Sequence, residues 1–221
     1  KLGGTGFNAV PNSGMPGDVV GIPVRPGVGV DPDGAKAERG YRMWGLDPQR
    51  KTILVTGGSQ GAVNINAALA GAVERLTAEG FQVLHAYGRK NDAPAKHDHY
   101  TAVSYIDDME AAYAVADVVV CRSGAMTVAE NSAAGIPAIY IPLPHGNGEQ
   151  GLNSAHLVDA GAALRIDDAA LSGDVLVEKL LPLKDPDARA TMRAALEDTG
   201  AGSVAEDLAA RIAAAAGKDT K

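Results

Sequence analysis

The sequence predicts an α/β fold, a Rossmann-like doubly wound parallel sheet followed by a C-terminal helical tail. Three observations lead there. From Thr52 onward, short β-rich runs alternate with helical patterns, the order that builds a parallel sheet flanked by helices. Runs such as Val118 to Cys121 and Ala138 to Ile141 are almost continuously apolar, as expected of strands covered on both faces. Beyond Ile166 the helical patterns continue without strands between them.

Val20 to Arg25 is short and extended, and Asp33 to Leu46 carries a helical pattern. Between them "RPGVGVDPDG" reads as a hinge or entry loop. Strands are predicted at Thr52 to Thr56, Gln82 to Ala86, Ala102 to Tyr105, Val118 to Cys121, Ala138 to Ile141 and Ala163 to Ile166. The helices between them are predicted at Ala62 to Glu79, Met109 to Ala116, Met126 to Ala134 and Gln150 to Ala160. Ser172 to Leu181, Pro186 to Thr199 and Ser203 to Ala215 supply the tail. Residues 1–20, rich in Gly, Pro and Asn, read as a linker or the last stretch of a preceding domain, 21–216 as one folded domain, and 217–221 as a disordered end.

With 221 residues, 46% of them hydrophobic, the chain can bury a proper core. No run of about 18 apolar residues is present, so no segment reads as a membrane-spanning helix. A net charge of -7 argues against nucleic acid as a partner and against a polybasic membrane face. The single cysteine, Cys121, excludes an internal disulfide, fits a reducing compartment, and reads as a buried small hydrophobe rather than a reactive thiol.

Open parallel sheets bind ligands at the carboxyl ends of their strands. Four loops fall there: Gly57 to Gly61, Ile106 to Met109, Arg122 to Glu130, and Pro142 to Gln150. The first, within "TILVTGGSQGA", suits three chemistries. As G-x-S-x-G it would be a serine-hydrolase elbow with Ser59 as nucleophile, yet no oxyanion loop precedes it. Of the histidines at 85, 97, 99, 145 and 156, only His145 falls on a candidate loop, with no acid paired to it. As a dinucleotide fingerprint it has Thr56 in place of the first glycine, and Ala86-Tyr-Gly-Arg89 lacks the acid that would hold an adenosine ribose. The reading left for Ser59 is a phosphate or sugar contact.

The third loop is the most informative. Ser123 and Gly124 precede a helix whose free N–H groups and positive dipole end suit a pyrophosphate. Glu130 lies about six residues and roughly 9 Å of helical rise further on. A carboxylate there can accept both hydroxyls of a ribose whose phosphates sit at the helix start. Taken alone, Glu130 reads nearly as well as a solvated helix residue; the tight return Ala134-Gly-Ile-Pro137 favours the site by fixing the helix against the next strand. Asp107 and Asp108 read as caps of the helix at Met109 rather than metal ligands, and Arg122 as a possible local cation.

"VVGIPVR", "VTGGSQGAVNIN" and "YIDDMEAAYAVADVVVCRSGAMTVAENSAAGIPAIYIPLPHGNGEQGLN" together resemble, in order, the donor-binding half of the MurG family. These are bacterial GT-B glycosyltransferases that move N-acetylglucosamine (GlcNAc) from UDP-GlcNAc to lipid I in peptidoglycan synthesis. The resemblance runs from about Val19 to Ile212. It implies that Arg25 and Ser59 touch the diphosphate or sugar, that Ile106 lies against the uracil, and that Ala125, Met126 and Thr127 form the phosphate cradle. Glu130 would hold the ribose and Gln150 the GlcNAc hydroxyls; Glu149 departs from the Gln-Gln of many relatives. It also implies no metal and no cofactor. The catalytic base, the lipid I site and the membrane contact on the cytoplasmic face would belong to an N-terminal domain absent from this chain, so no catalytic residue is expected here and the chain alone is expected to transfer nothing. A stand-alone donor module of a split transferase, or a GT-B transferase for another lipid acceptor, would share these features.

Overall fold

The computed structural model describes residues 22–58, 61–144 and 149–199. The expectations for residues 1–20, Ser59, His145, the Ser203 to Ala215 helix and the 217–221 end lie outside those residues. Helix α1 (Ala35–Trp44) precedes strand β1 (Lys51–Thr56); α2 (Val63–Ala70), α3 (Val73–Ala78), β2 (Phe81–Ala86) and β3 (Tyr100–Val103) follow. Then α4 (Met109–Val115), β4 (Val118–Cys121), α5 (Ala125–Ala133), β5 (Ala138–Tyr140), α6 (Glu149–Asp159) and β6 (Ala163–Arg165) alternate. Two short 3-10 turns, Asp168–Ala170 and Leu181–Lys184, flank α7 (Gly173–Leu180), and α8 (Pro186–Asp198) ends the described chain.

All strand pairs are parallel, in the order β3-β2-β1-β4-β5-β6. The order in which strands are added reverses between β1 and β4, and in such sheets that switch opens a crevice at the carboxyl ends. Alternation along the strands builds two cores. Ile53, Val55, Val118, Val120 and Ile139 face α2, α3 and α7, while Leu54, Val119, Cys121 and Tyr140 face α4, α5 and α6. The near-continuous apolar strands of the sequence are thus buried on both sides, each large side chain contributing about 1.5–3 kcal/mol.

Two expected elements are corrected. The single helix over Ala62 to Glu79 is broken at Gly71 and Ala72. There α7 begins against the backbone: a Cβ on Gly173 would lie 2.6 Å from the Gly71 carbonyl carbon, so the break accommodates the crossing. The strand expected at Ala102 to Tyr105 starts and stops two residues earlier, because its partner β2 ends at Ala86, paired with Val103, and the last ladder bond runs from Tyr87 N–H to the Val103 carbonyl.

His85, buried on β2, bridges Tyr100 (2.7 Å from Nδ1) and Asn66 (3.0 Å from Nε2). With Asn66 presenting its carbonyl oxygen, Nε2 carries the proton and Nδ1 accepts from the phenol. Burial pushes the imidazole pKa from 6.5 down to about 4 and the Tyr100 phenol up to about 12. The unfolded chain therefore takes up this proton near pH 6.5, whereas the folded protein resists it until about pH 4. Stability from this site is intact above pH 6.5 and falls as pH drops from 6.5 towards 4, by about 3 kcal/mol in all. Urea unfolding between those pH values should show the loss, and His85→Gln should remove that part of the slope.

Candidate nucleotide site

The crevice at the switch point is a cavity of about 660 Å³. Thr56 and Cys121 end β1 and β4 at its floor, followed by Gly57, Gly58, Gly61, Arg122 and Gly124. Tyr105, Ile106, Met109 and Tyr113 form one wall, Thr127 and Glu130 of α5 a second, and Leu143, Pro144 and Gln150 a third. Burial holds the Cys121 thiol near pKa 12, opposed by the amide of Asn131, so it stays neutral, as its apolar setting in the sequence suggested.

Gly61 makes the turn at the floor possible. Its φ is +73°, and a Cβ there would sit 2.2 Å from the Tyr87 carbonyl oxygen, which only glycine avoids. Gly124 differs in kind. It is the N-cap of α5 with φ -62° and ψ 145°, open to any residue, and an added Cβ would meet nothing nearer than Thr127 Oγ1 at 3.9 Å. Neither backbone nor packing demands glycine at 124, yet it faces the cavity beside a helix start that no side chain caps. The first intrahelical bond is from Val128 N–H to the Gly124 carbonyl, so the N–H groups of Ala125, Met126 and Thr127 remain for a ligand. Gly124→Val should therefore weaken nucleotide diphosphate binding by about tenfold or more, by crowding the cradle, with the melting temperature little changed; calorimetry beside a thermal melt reads both.

Ser123, expected at the phosphate turn, is instead fully buried and knits the site together: its hydroxyl donates to the Gln150 carbonyl (2.8 Å) and its carbonyl accepts from Asn153 (3.0 Å). The Gln150 side-chain oxygen accepts from Leu143 N–H at 3.0 Å, which fixes the side chain at the cavity edge. Asp108 caps α4, accepting from Ala111 N–H at 3.0 Å and from Arg39 Nε at 2.8 Å; these donors hold its carboxyl below the usual range. Asp107 lies exposed, 3.7 Å from Arg89, whose guanidinium also stacks over the Tyr105 ring at the rim, 4.1 Å from its centroid.

Of the expected contacts, Ile106, Thr127, Glu130 and Gln150 line one cavity, and Ala125 and Met126 share the helix start with Thr127. Arg25 stands at the same site through Glu130, its guanidinium 3.5 Å from Glu130 Oε1. Arg122 is not a free cation. It donates to Asp168 and to the Ile141 and Pro142 carbonyls (3.2 and 3.4 Å), while Asn64 donates to the other Asp168 oxygen. Sequence reading missed Tyr113, whose hydroxyl donates to Glu130 Oε2 at 3.0 Å, and missed Asn64 and Asp168. Met109 and Tyr113, four apart on α4, both face the cavity, a spacing that flags the phenol; Asp168, arriving after β6, had no local signal.

A family model described as "Glycosyltransferase family 28 C-terminal domain" matches residues 52–212. The UDP-N-acetylglucosamine--N-acetylmuramyl-(pentapeptide) pyrophosphoryl-undecaprenol N-acetylglucosamine transferase of Corynebacterium diphtheriae is 55% identical over 213 residues, 95% of this chain and 58% of that protein. The protein of the same name from Mycolicibacterium smegmatis is 47% identical over 201 residues, 88% of this chain and 52% of that one. Among solved structures, Acinetobacter baumannii MurG matches with a TM-score of 0.58 and 30% identity, over 72% of this chain and 48% of that one. The calicheamicin glycosyltransferase CalG4 matches with a TM-score of 0.61 at 21% identity, over 79% of this chain and 46% of that chain, a likeness of fold. The chain thus spans about three-fifths of the curated relatives it matches first, 58% in the Corynebacterium diphtheriae case. Its sheet is the C-terminal half of the GT-B architecture, and, with the family model covering well over half its length, the chain belongs to glycosyltransferase family 28 as its C-terminal domain.

Proposed function

We propose that this chain is the sugar-nucleotide half of an inverting N-acetylglucosaminyltransferase: it binds UDP-GlcNAc, and in the complete enzyme the GlcNAc passes to lipid I to give lipid II. The observation that carries the reading is the pairing of an uncapped helix start at Gly124 with a carboxylate two turns on, both in one cavity at the switch point. The similarity to transferases named for UDP-N-acetylglucosamine and pyrophosphoryl-undecaprenol supports the choice of donor and acceptor. Residues 21–216 form the donor domain in this reading.

The diphosphate lies on the N–H groups of Ala125, Met126 and Thr127, with Ser59 on the neighbouring glycine loop, and the ribose on Glu130. Ile106, buried beside the rim, packs against the uracil, and Gln150 meets the sugar. Chemistry in this half is leaving-group stabilisation. As the acceptor hydroxyl attacks the anomeric carbon, negative charge grows on the departing diphosphate at the positive end of α5, an arrangement stabilising in a water-poor site. Arg122, neutralised by Asp168, orders the loop rather than meeting the phosphates. The proton of the attacking hydroxyl must go to a base outside these residues. Membrane contact on the cytoplasmic face likewise belongs to the rest of the enzyme; no described helix is long and apolar enough to cross a bilayer.

Calorimetric titration with UDP-GlcNAc, UDP-GalNAc and NADH tests the reading. Saturable binding of UDP-GlcNAc, tighter than UDP-GalNAc and with none for NADH, is expected; preference for NADH would overturn it, and so would hydrolysis of an ester dependent on Ser59. The 221-residue chain mixed with UDP-GlcNAc and a lipid I analogue should give no lipid II, and measurable transfer would contradict the assignment of the base to another part of the enzyme.

A further inference from the structure

Glu130 meets the cavity with its two oxygens committed to unlike partners. Oε2 accepts from the Tyr113 hydroxyl at 3.0 Å. Tyr113 is 4% exposed, stands on the neighbouring helix α4, and belongs to the apolar cluster that contains Val128 and Ile136. Burial first, and then the Glu130 charge, drive its pKa far above that of a free phenol, so it remains a donor at any pH the fold survives. Oε1 has a different neighbour: the Arg25 guanidinium, 3.5 Å away on a side chain 64% exposed, against 15% for Glu130 itself. One oxygen is held by a fixed, dry donor, the other by a solvent-facing cation that a ligand can displace.

We infer that Tyr113 is a positioning residue that fixes the rotation of the Glu130 carboxylate and thereby makes the site selective for ribose over 2′-deoxyribose nucleotides. The inference rests on the donor-site reading above and deepens it. The terminal torsion of a glutamate is broad and two-fold, so an unheld carboxylate can swing to satisfy a single hydroxyl. Pinned through Oε2, it presents Oε1 and the remaining Oε2 lone pair in one plane, an acceptor for two vicinal hydroxyls. A nucleotide lacking one of them leaves an acceptor unpaired in a mostly buried setting, the condition under which sites built around a hydroxyl reject the analogue without it.

The test compares UDP with 2′-deoxy-UDP on the 221-residue chain by calorimetry. The wild-type chain should prefer UDP by about tenfold or more. Tyr113→Phe, which removes one oxygen and keeps the ring, should weaken UDP by about tenfold and leave 2′-deoxy-UDP within about twofold, collapsing the preference. In a Glu130→Ala background the preference should already be gone and Tyr113→Phe should change nothing further. Equal weakening of both nucleotides by Tyr113→Phe, or an unchanged ratio, would reduce the phenol to a packing role and overturn the inference. Failure of the wild-type chain to bind UDP at all would instead overturn the donor-site reading, a distinct result.

Discussion

Replacing Glu130 with alanine is expected to raise the Kd for UDP-GlcNAc by about 100- to 1000-fold, with the chain still folded. The carboxylate would supply charge-assisted bonds to two ribose hydroxyls, each about 1.5–3 kcal/mol and not fully additive, so a loss of about 3–4 kcal/mol follows. The substitution also releases Arg25 and leaves the Tyr113 hydroxyl, buried among apolar groups, without its acceptor. Some of the loss is therefore reorganisation, which Glu130→Gln separates: its amide oxygen still accepts from Tyr113 while the negative charge is gone. Calorimetry on the three proteins, with circular dichroism to check the fold, reads the effect. Binding within about threefold of wild type in Glu130→Ala would remove the ribose assignment.

The largest stability effect is expected at the cavity floor. Asp168→Ala should destabilise the fold by about 3–5 kcal/mol, because it strands the guanidinium of Arg122 in a setting where both partners are largely buried. The pair joins the end of β4 to the turn after β6, with the Ile141 and Pro142 carbonyls accepting from the same guanidinium nitrogen, Nη1, and Asn64 of α2 donating to the second carboxylate oxygen. Breaking one partner exposes the desolvation cost of the other, whereas replacing both with apolar groups of similar size does not. Arg122→Met combined with Asp168→Leu should thus recover most of the stability lost in Asp168→Ala, as chemical denaturation would show. If the single and double variants were equally unstable, the pair would not be the reason for the loss.

The sheet was legible because its chemistry is local: four consecutive apolar residues at Val118–Cys121 can only be covered on both faces, and β4 and α4 appear within a residue of where the pattern puts them. Helix α5 was legible for a similar reason, since its glycine, its start and its carboxylate lie within seven consecutive residues, 124–130. What escaped the sequence is what depends on partners far along the chain. The break at Gly71 is set by Gly173 of α7, the end of β3 by where β2 stops, and the neutralisation of Arg122 by Asp168. Arg25 illustrates the same limit: nothing local in the sequence pairs it with Glu130, and only the folded chain brings the two within 3.5 Å.

A crystal structure of the chain with UDP-GlcNAc tests the central claim most directly. The account predicts diphosphate density within hydrogen-bond distance of the Ala125, Met126 and Thr127 N–H groups and both ribose hydroxyls on Glu130, with Arg25 displaced from that carboxylate. Nucleotide density away from the start of α5, or a ribose that leaves the Arg25–Glu130 pair undisturbed, would contradict it.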